Sequence, residues 1–297
     1  MVQLKSVGQA LLRQNFDTTL SYHRARLWLQ GYSRHSKLLI YQMGKVGSTS
    51  ILQAVKAELD DEPIYHVHFL APDKVVHKLQ VARKAFPKKR YIMPEIMEAD
   101  YIRRQLDNHP EQIQDWKIIT LLRDPIARRV SAFFQEIEVP KSLRKKLENS
   151  EFRNDFVQTL VKRFLDNWLN LASEPYHWFN SELKANFGFD IFAYPFDKKQ
   201  GYQIYTPESG PKVLCFQLEK LSDCASEAFQ TFMGIENLSL SKANVGSEKS
   251  YATLYKQFKA TLRLPHDFVE AVYSSPHMAH FYSPEEISRF RHRWQTD

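Results

Sequence analysis

Cysteine is nearly absent from this chain: Cys215 and Cys224 are the only two among 297 residues, and they stand isolated, without metal-ligand spacing. That excludes a disulfide framework and a cysteine-based metal centre, and it points to a reducing compartment or to a core that needs no staples. Linkers rich in Pro, Gly and Ser are missing, as are internal repeats, low-complexity tracts and heptads, so no boundary divides the main body. Long apolar runs are missing too. Leu27-Trp28-Leu29 is far too short to span a bilayer, and Met1-Val2-Gln3-Leu4-Lys5 leads into a polar amphipathic stretch instead of a secretion signal. A cytoplasmic location is therefore expected, with no transmembrane segment.

What is present suits one large α/β core, with 43% hydrophobic residues. Strand-like runs near 38–43, 64–69, 90–93 and 117–122 alternate with helical patterns at 48–59, 72–86 and 95–107. Such alternation calls for a parallel sheet with helices on both faces. A helix over about 125–138 follows, then a mostly helical stretch at 152–186, short strands near 202–206 and 212–217, and further helices including one at 250–262. The expected fold is a P-loop-like three-layer α/β/α arrangement around a central, mostly parallel sheet, with helical C-terminal additions. The expected division is a helical N-terminal arm over 1–35 and a catalytic domain over 36–297. The arm carries Leu11, Leu12, Leu20, Leu27 and Trp28 beside Arg13, Arg24 and Arg26, a pattern that fits a membrane surface or packing on its own domain.

Two stretches carry the chemistry. After the apolar run 38–43 comes Gly44-Lys45-Val46-Gly47-Ser48-Thr49-Ser50. Glycine frees the backbone for a turn and for close approach of a ligand. The hydroxyls and unpaired amides of Ser48, Thr49 and Ser50 would open a helix, whose positive end binds phosphate. Lys45 adds a point charge, and Val46 completes the loop. A Walker A loop is excluded, because the lysine precedes the second glycine instead of following it. An ordinary Gly-containing strand-to-helix turn is the plain alternative.

The second stretch, Arg123-Asp124-Pro125-Ile126-Ala127-Arg128-Arg129-Val130-Ser131, follows the apolar run 117–122. Asp124 is an N-cap followed by proline at the first helical position. Arg123 lies at a strand's C-terminal end, where open α/β sheets bind ligands, and its guanidinium can hold a phosphate bidentately. Ser131, about two helical turns on, can turn its hydroxyl toward the same anion. Arg128 and Arg129 would flank this clamp, at least one of them paired with an acid or facing water.

Ile64-Tyr65-His66-Val67-His68-Phe69-Leu70 supplies two histidines at i and i+2, which share one face of a strand. Imidazole titrates near neutrality and suits a general base. His-x-His also suits zinc, although no third ligand is evident nearby, and two half-exposed strand histidines remain the plain reading.

These elements together resemble the sulfotransferases that use 3′-phosphoadenosine 5′-phosphosulfate (PAPS). The resemblance implies that Lys45, Gly47, Ser48 and Thr49 hold the 5′-phosphosulfate and that Arg123 and Ser131 hold the 3′-phosphate. The Tyr65-His66-Val67-His68 run is similar to that of the uronyl 2-O-sulfotransferases, which implies His66 as catalytic base; from the shared strand face, one of His66 and His68 could meet an acceptor hydroxyl while the other orients it or supports from behind. His177-Trp178-Phe179-Asn180-Ser181-Glu182-Leu183, Phe187-Gly188-Phe189-Asp190 and Gly201-Tyr202-Gln203-Ile204-Tyr205 resemble a bacterial family labelled putative capsular polysaccharide synthesis proteins. That label implies a glycan context. Val213 to Leu221 is similar to the strand that ends in Tyr-Glu-x-Leu in sulfotransferases, but Gln217 and Leu218 depart from it, leaving Glu219 a structural or substrate-side contact. The Arg-Lys-Gly loop of the cytosolic enzymes is missing; the nearest substitute is Asn244 to Lys249, with Lys249 as the cation to close over the 3′-phosphate.

The implied reaction is in-line sulfuryl transfer from PAPS to a hydroxyl of an acidic or cell-surface glycan, with no metal required. Lys45 and the helix N-terminus would stabilise charge on the departing oxygen. Phe156, Leu160, Phe164, Leu165 and Trp168 at helical spacing read as core, and Tyr176 and Trp178 are the aromatic candidates for stacking on sugar. The net charge of +7 favours anionic partners, but the basic residues are spread out and no nucleic-acid motif accompanies them. The rival readings are a P-loop nucleotide kinase or NTPase, which needs a magnesium carboxylate, and a non-catalytic glycan-binding protein of the same fold.

Overall fold

In a computed structural model the chain is described at residues 15–31, 37–59, 62–89, 91–137, 146–147, 149–168, 177–236, 238–240 and 252–295. A five-stranded sheet runs in the order β2-β1-β3-β5-β4, from β1 (Leu38–Tyr41), β2 (Ile64–Val67), β3 (Lys117–Leu122), β4 (Tyr202–Tyr205) and β5 (Lys212–Gln217). Neighbouring strands are parallel except β4, which runs antiparallel to β5 at the edge. All four residues of β1 and the last five of both β3 and β5 are buried, as strands covered on both faces must be.

The chain places β2 on one side of β1 and β3 on the other, so the winding reverses beside β1. The C-terminal ends of β1 and β3 flank that switch point, the usual ligand crevice of an open α/β sheet. α1 (Phe16–Gly31) precedes the sheet, α2 (Ser48–Glu58) joins β1 to β2, and α3 (Pro72–Lys89) and α4 (Pro94–Asn108) lead toward β3. α5 (Pro125–Glu136), α6 (Ser150–Trp168) and a π-helical turn at Phe179–Lys184 follow. Beyond the sheet come α7 (Leu221–Met233), α8 (Ala252–Thr261), α9 (His266–Tyr273), α10 (Pro276–Phe281) and α11 (Pro284–Trp294). The three-layer α/β reading is what the structure has. No helix among the described residues is long and apolar enough to cross a membrane.

The strand expected at 90–93 is a correction. Ile92 is buried, but Met93 is the N-cap of α4 and Pro94 its first residue, so this short run serves as the helix entry. A proline N1 position cannot extend a ladder. α5 also ends at Glu136, two residues short of the expected end. α1 lies on α3 and α4: Phe16 meets Phe86 edge-on at 5.6 Å, and Arg24 grips Asp100 with Nε–Oδ2 at 2.7 Å and Nη2–Oδ1 at 2.9 Å. Its buried side is Phe16, Leu20 and Leu27, while Trp28 and Leu29 stay exposed. Leu11, Leu12 and Arg13 of the arm lie outside the described residues.

Candidate functional site

The loop after β1 contains the one described non-glycine residue at positive φ, Lys45 at 71°, followed by Gly47 at 85°. A left-handed lysine costs backbone energy and marks a site whose surroundings enforce it. Those surroundings come largely from the second motif. Arg123 Nη1 donates to Lys45 O at 3.0 Å, and Arg128 Nη1 reaches Gly44 O at 3.4 Å. On the other side Leu218 packs against Gly47, where a Cβ would come within 2.4 Å of its Cδ1; that methyl is the movable end of a side chain, so it is the positive φ that calls for glycine there.

Gly47 caps α2 without any side-chain hydrogen bond, which leaves the first amides of the helix, at Ser48 and Thr49, with no side-chain acceptor among the described residues. Val46 is fully buried and anchors the loop, while Lys45, Thr49 and Ser50 are partly exposed. Thus the loop and Arg123, 78 residues apart, meet at the switch point. Ser131 is partly exposed on α5, and its side chain makes no hydrogen bond among the described residues. Of Arg128 and Arg129, at least one of which was expected to pair with an acid or face water, neither faces water: they are buried at 7% and 4% exposure, and Arg128 braces the loop. Lys249 lies outside the described residues, as does Tyr176.

The histidines close the other side. His66 Nε2 is 2.8 Å from Ser48 Oγ and 3.0 Å from Gln42 Nε2. His68 Nδ1 donates to Gln42 O at 3.0 Å and lies 3.2 Å from Gln42 Nε2. The rings meet edge-on with centroids 5.0 Å apart. Burial, helped by the charges of His68 and Lys56, pushes the His66 pKa down to about 4. His66 is therefore neutral at pH 7 with its Nε2 engaged on the loop. In His68 the proton sits on Nδ1, so the Nε2 lone pair is the unengaged one. Glu98 Oε2 accepts the His66 amide at 2.7 Å and holds the strand end.

Several supports escaped sequence reasoning. Glu182 is fully buried; its Oε2 accepts Tyr41 OH at 2.6 Å and the amides of Leu70 and Ala71 at 2.7 and 3.0 Å, and its Oε1 accepts Lys74 Nζ at 2.6 Å. It ties β1, the segment after His68 and the start of α3 to the π-turn. Trp178 is no sugar platform: it is 8% exposed, packs 4.9 Å from Tyr41, and donates Nε1–H to His68 O at 2.9 Å. Behind Arg123, the Asp124 carboxylate accepts Ile126 N at 3.0 Å, Tyr273 OH at 2.7 Å and Trp294 Nε1 at 3.0 Å. Glu219 Oε1 accepts the Asp124 amide at 2.8 Å and Oε2 faces Tyr282 OH at 3.2 Å, so it is a structural brace. Its burial raises its pKa to about 7. Asp124 was legible as an N-cap and Glu219 as a structural contact, whereas for Glu182 the advance signal was an acid standing in an otherwise apolar stretch.

Residues 153–283 match the model of a family described as putative capsular polysaccharide synthesis protein. The chain is similar to that family over the stretch that carries Trp178, Glu182, Glu219, Tyr273 and Tyr282, the braces of the site. The loop at 44–50, the histidines and Arg123 lie before it. No curated protein and no solved structure matches the chain.

Proposed function

We propose that this protein moves a sulfuryl group from PAPS to a hydroxyl of a carbohydrate, in the setting of capsular or other cell-surface polysaccharide synthesis. The observation that carries the reading is the 3.0 Å bond from Arg123 Nη1 to Lys45 O. It makes one site of two anion-binding elements, as a donor with phosphate at both ends requires. The capsular family match over residues 153–283 supports the glycan context.

The donor's 5′-phosphosulfate fits the uncapped start of α2 with Lys45, Gly47, Ser48 and Thr49 around it. The remaining donors of Arg123, with Ser131 farther along α5, suit the 3′-phosphate. His68 Nε2 would take the acceptor hydroxyl's proton as its oxygen bonds to sulfur. The bond from sulfur to the bridging phosphate oxygen breaks in line. Lys45 and the α2 amides stabilise the charge left on that oxygen. The geometry thus favours His68 as the base over His66, which the sequence resemblance had singled out, because His66 Nε2 is engaged with Ser48.

A kinase or NTPase is disfavoured because the Asp124 carboxylate, which would have to serve magnesium, is taken up by three donors. Calorimetric titration with adenosine 3′,5′-bisphosphate and with ADP separates the readings. Magnesium-independent binding of the bisphosphate, at least about tenfold tighter than ADP, is expected for two phosphate subsites. Magnesium-dependent preference for ADP would overturn the proposal, and binding of glycan with neither nucleotide would point to a non-catalytic glycan-binding protein.

A further inference from the structure

Beyond Lys74, which braces Glu182, α3 has a face that neither the fold nor the donor site uses. Over its 18 residues it carries six Lys or Arg against one acid, Asp73. Lys74, Lys78, Val81, Lys84 and Lys88 recur at spacings of four, three, three and four, which puts them on one side of the helix, with His77 and Lys89 at its margins. All seven are exposed, while Val75, Ala82 and Phe86 turn the opposite side into the core. Lys74 is paired with Glu182, and Arg83, off this face, with Asp17. Lys78, Lys84, Lys88 and Lys89 have no ion-pair partner among the described residues. Like charges at i and i+4, as in Lys74/Lys78 and Lys84/Lys88, weaken a helix, so its stability does not account for this arrangement.

The stripe begins at the histidine site. Lys74 Nζ bonds Glu182, which also holds the amides of Leu70 and Ala71, and Lys78 Nζ lies 5.9 Å over the ring of Phe69, next to His68. From there it runs outward for about 21 Å to Lys88, at 1.5 Å per residue.

The geometry points to this face of α3 as a track for a linear polyanionic glycan, one end of which reaches His68. The inference rests on the proposed transfer reaction and adds where the acceptor chain lies and what charge it bears. A narrow line of cations suits a polymer with acidic groups repeating along it. A membrane surface would need several apolar side chains beside the cations, whereas Val81 stands alone among them and Val76, the other exposed valine of α3, lies about 140° away around the helix.

The test uses the full chain, a variant with Lys78→Gln, Lys84→Gln, Lys88→Gln and Lys89→Gln, and one with the same four lysines changed to Arg. The probes are polygalacturonate, neutral dextran, and phosphatidylglycerol-containing vesicles. Expected is salt-sensitive binding of polygalacturonate, none of dextran, at least about tenfold weaker polygalacturonate binding by the Gln variant, and wild-type binding by the Arg variant. Equal polygalacturonate binding by wild type and the Gln variant overturns the track, as does no binding by the wild type. So does a Gln-dependent loss confined to the vesicles. Adenosine 3′,5′-bisphosphate affinity, measured on the same proteins, should be unchanged by the substitutions. Its absence in the wild type would sink the transfer reading without touching the polygalacturonate result.

Discussion

Gln42 is the residue that organises the histidines. It is fully buried at the end of β1, its backbone carbonyl accepts a hydrogen bond from His68 Nδ1, and its side-chain nitrogen sits between the two rings at 3.0 and 3.2 Å. Its Oε1 has no partner among the described residues. On the proposed transfer, with His68 as base, His68→Ala should lower turnover by about 100-fold or more. Gln42→Leu keeps the backbone carbonyl but frees both rings, and should lower kcat by up to about 100-fold while leaving nucleotide affinity intact. Steady-state kinetics beside nucleotide titration would check both, and an equal loss of nucleotide binding in Gln42→Leu would mean that the residue shapes the loop instead.

Among elements, the π-turn Phe179–Lys184 is the one whose role was least evident beforehand. It presents Glu182 to Tyr41, Leu70, Ala71 and Lys74, and so couples β1, the tail of β2 and the first turn of α3. Replacing Glu182 by Ala strands four donors, and breaking a buried ion pair from one side costs about 3–5 kcal/mol. Lys74 is 44% exposed and rehydrates readily, so the lower end of that range is expected, mostly from the Tyr41 hydroxyl and the two amides. Urea denaturation measures it. Loss of less than about 1 kcal/mol would show that water or Asn186 replaces the carboxylate. The corner after β3 is built likewise: Pro125 and the Asp124 cap were legible locally, but their anchoring by Tyr273 and Trp294 joins residues 149 and 170 positions apart.

For the whole molecule, acid sensitivity follows from histidines folded in neutral form. His277 is sealed among Phe179, Phe192 and Phe281, neither of its ring nitrogens has a partner, and burial pushes its pKa down to about 3. His66 sits at about 4. As pH falls from about 6.5 toward these values, the unfolded chain binds protons that the folded one refuses, so the contribution of both groups to stability is lost. Glu219 acts oppositely: with its pKa near 7, the folded protein keeps a proton between about 4.5 and 7 that the unfolded chain releases, and stability falls as pH rises there. Comparing wild type with His277→Leu isolates one group. The variant should melt higher at pH 7.5, since two unpaired polar atoms leave the core, and its advantage should widen at pH 5. Thermal melts at the two pH values check this, and a gap that narrows on acidification would contradict the burial argument.

Order along the chain determined much here. Apolar runs with β-branched residues set β1, β2, β3 and β5, alternation with helical patterns set a parallel sheet, and Asp124-Pro125 started α5. The residue types of the loop and of Arg123 were legible because glycine, hydroxyl and guanidinium chemistry is local. Run 90–93 failed because Pro94 outweighs three apolar residues, a conflict that helix entry resolves. What the fold alone decided is which distant groups meet. The bond between Arg123 and Lys45, the engagement of His66 by Ser48 that leaves His68 Nε2 open, and the burial of Trp178 and Glu182 all depend on contacts 18 to 141 residues apart. Periodicity reports which side of an element is apolar; it carries no record of what that side will touch, because packing is settled only when all layers close together.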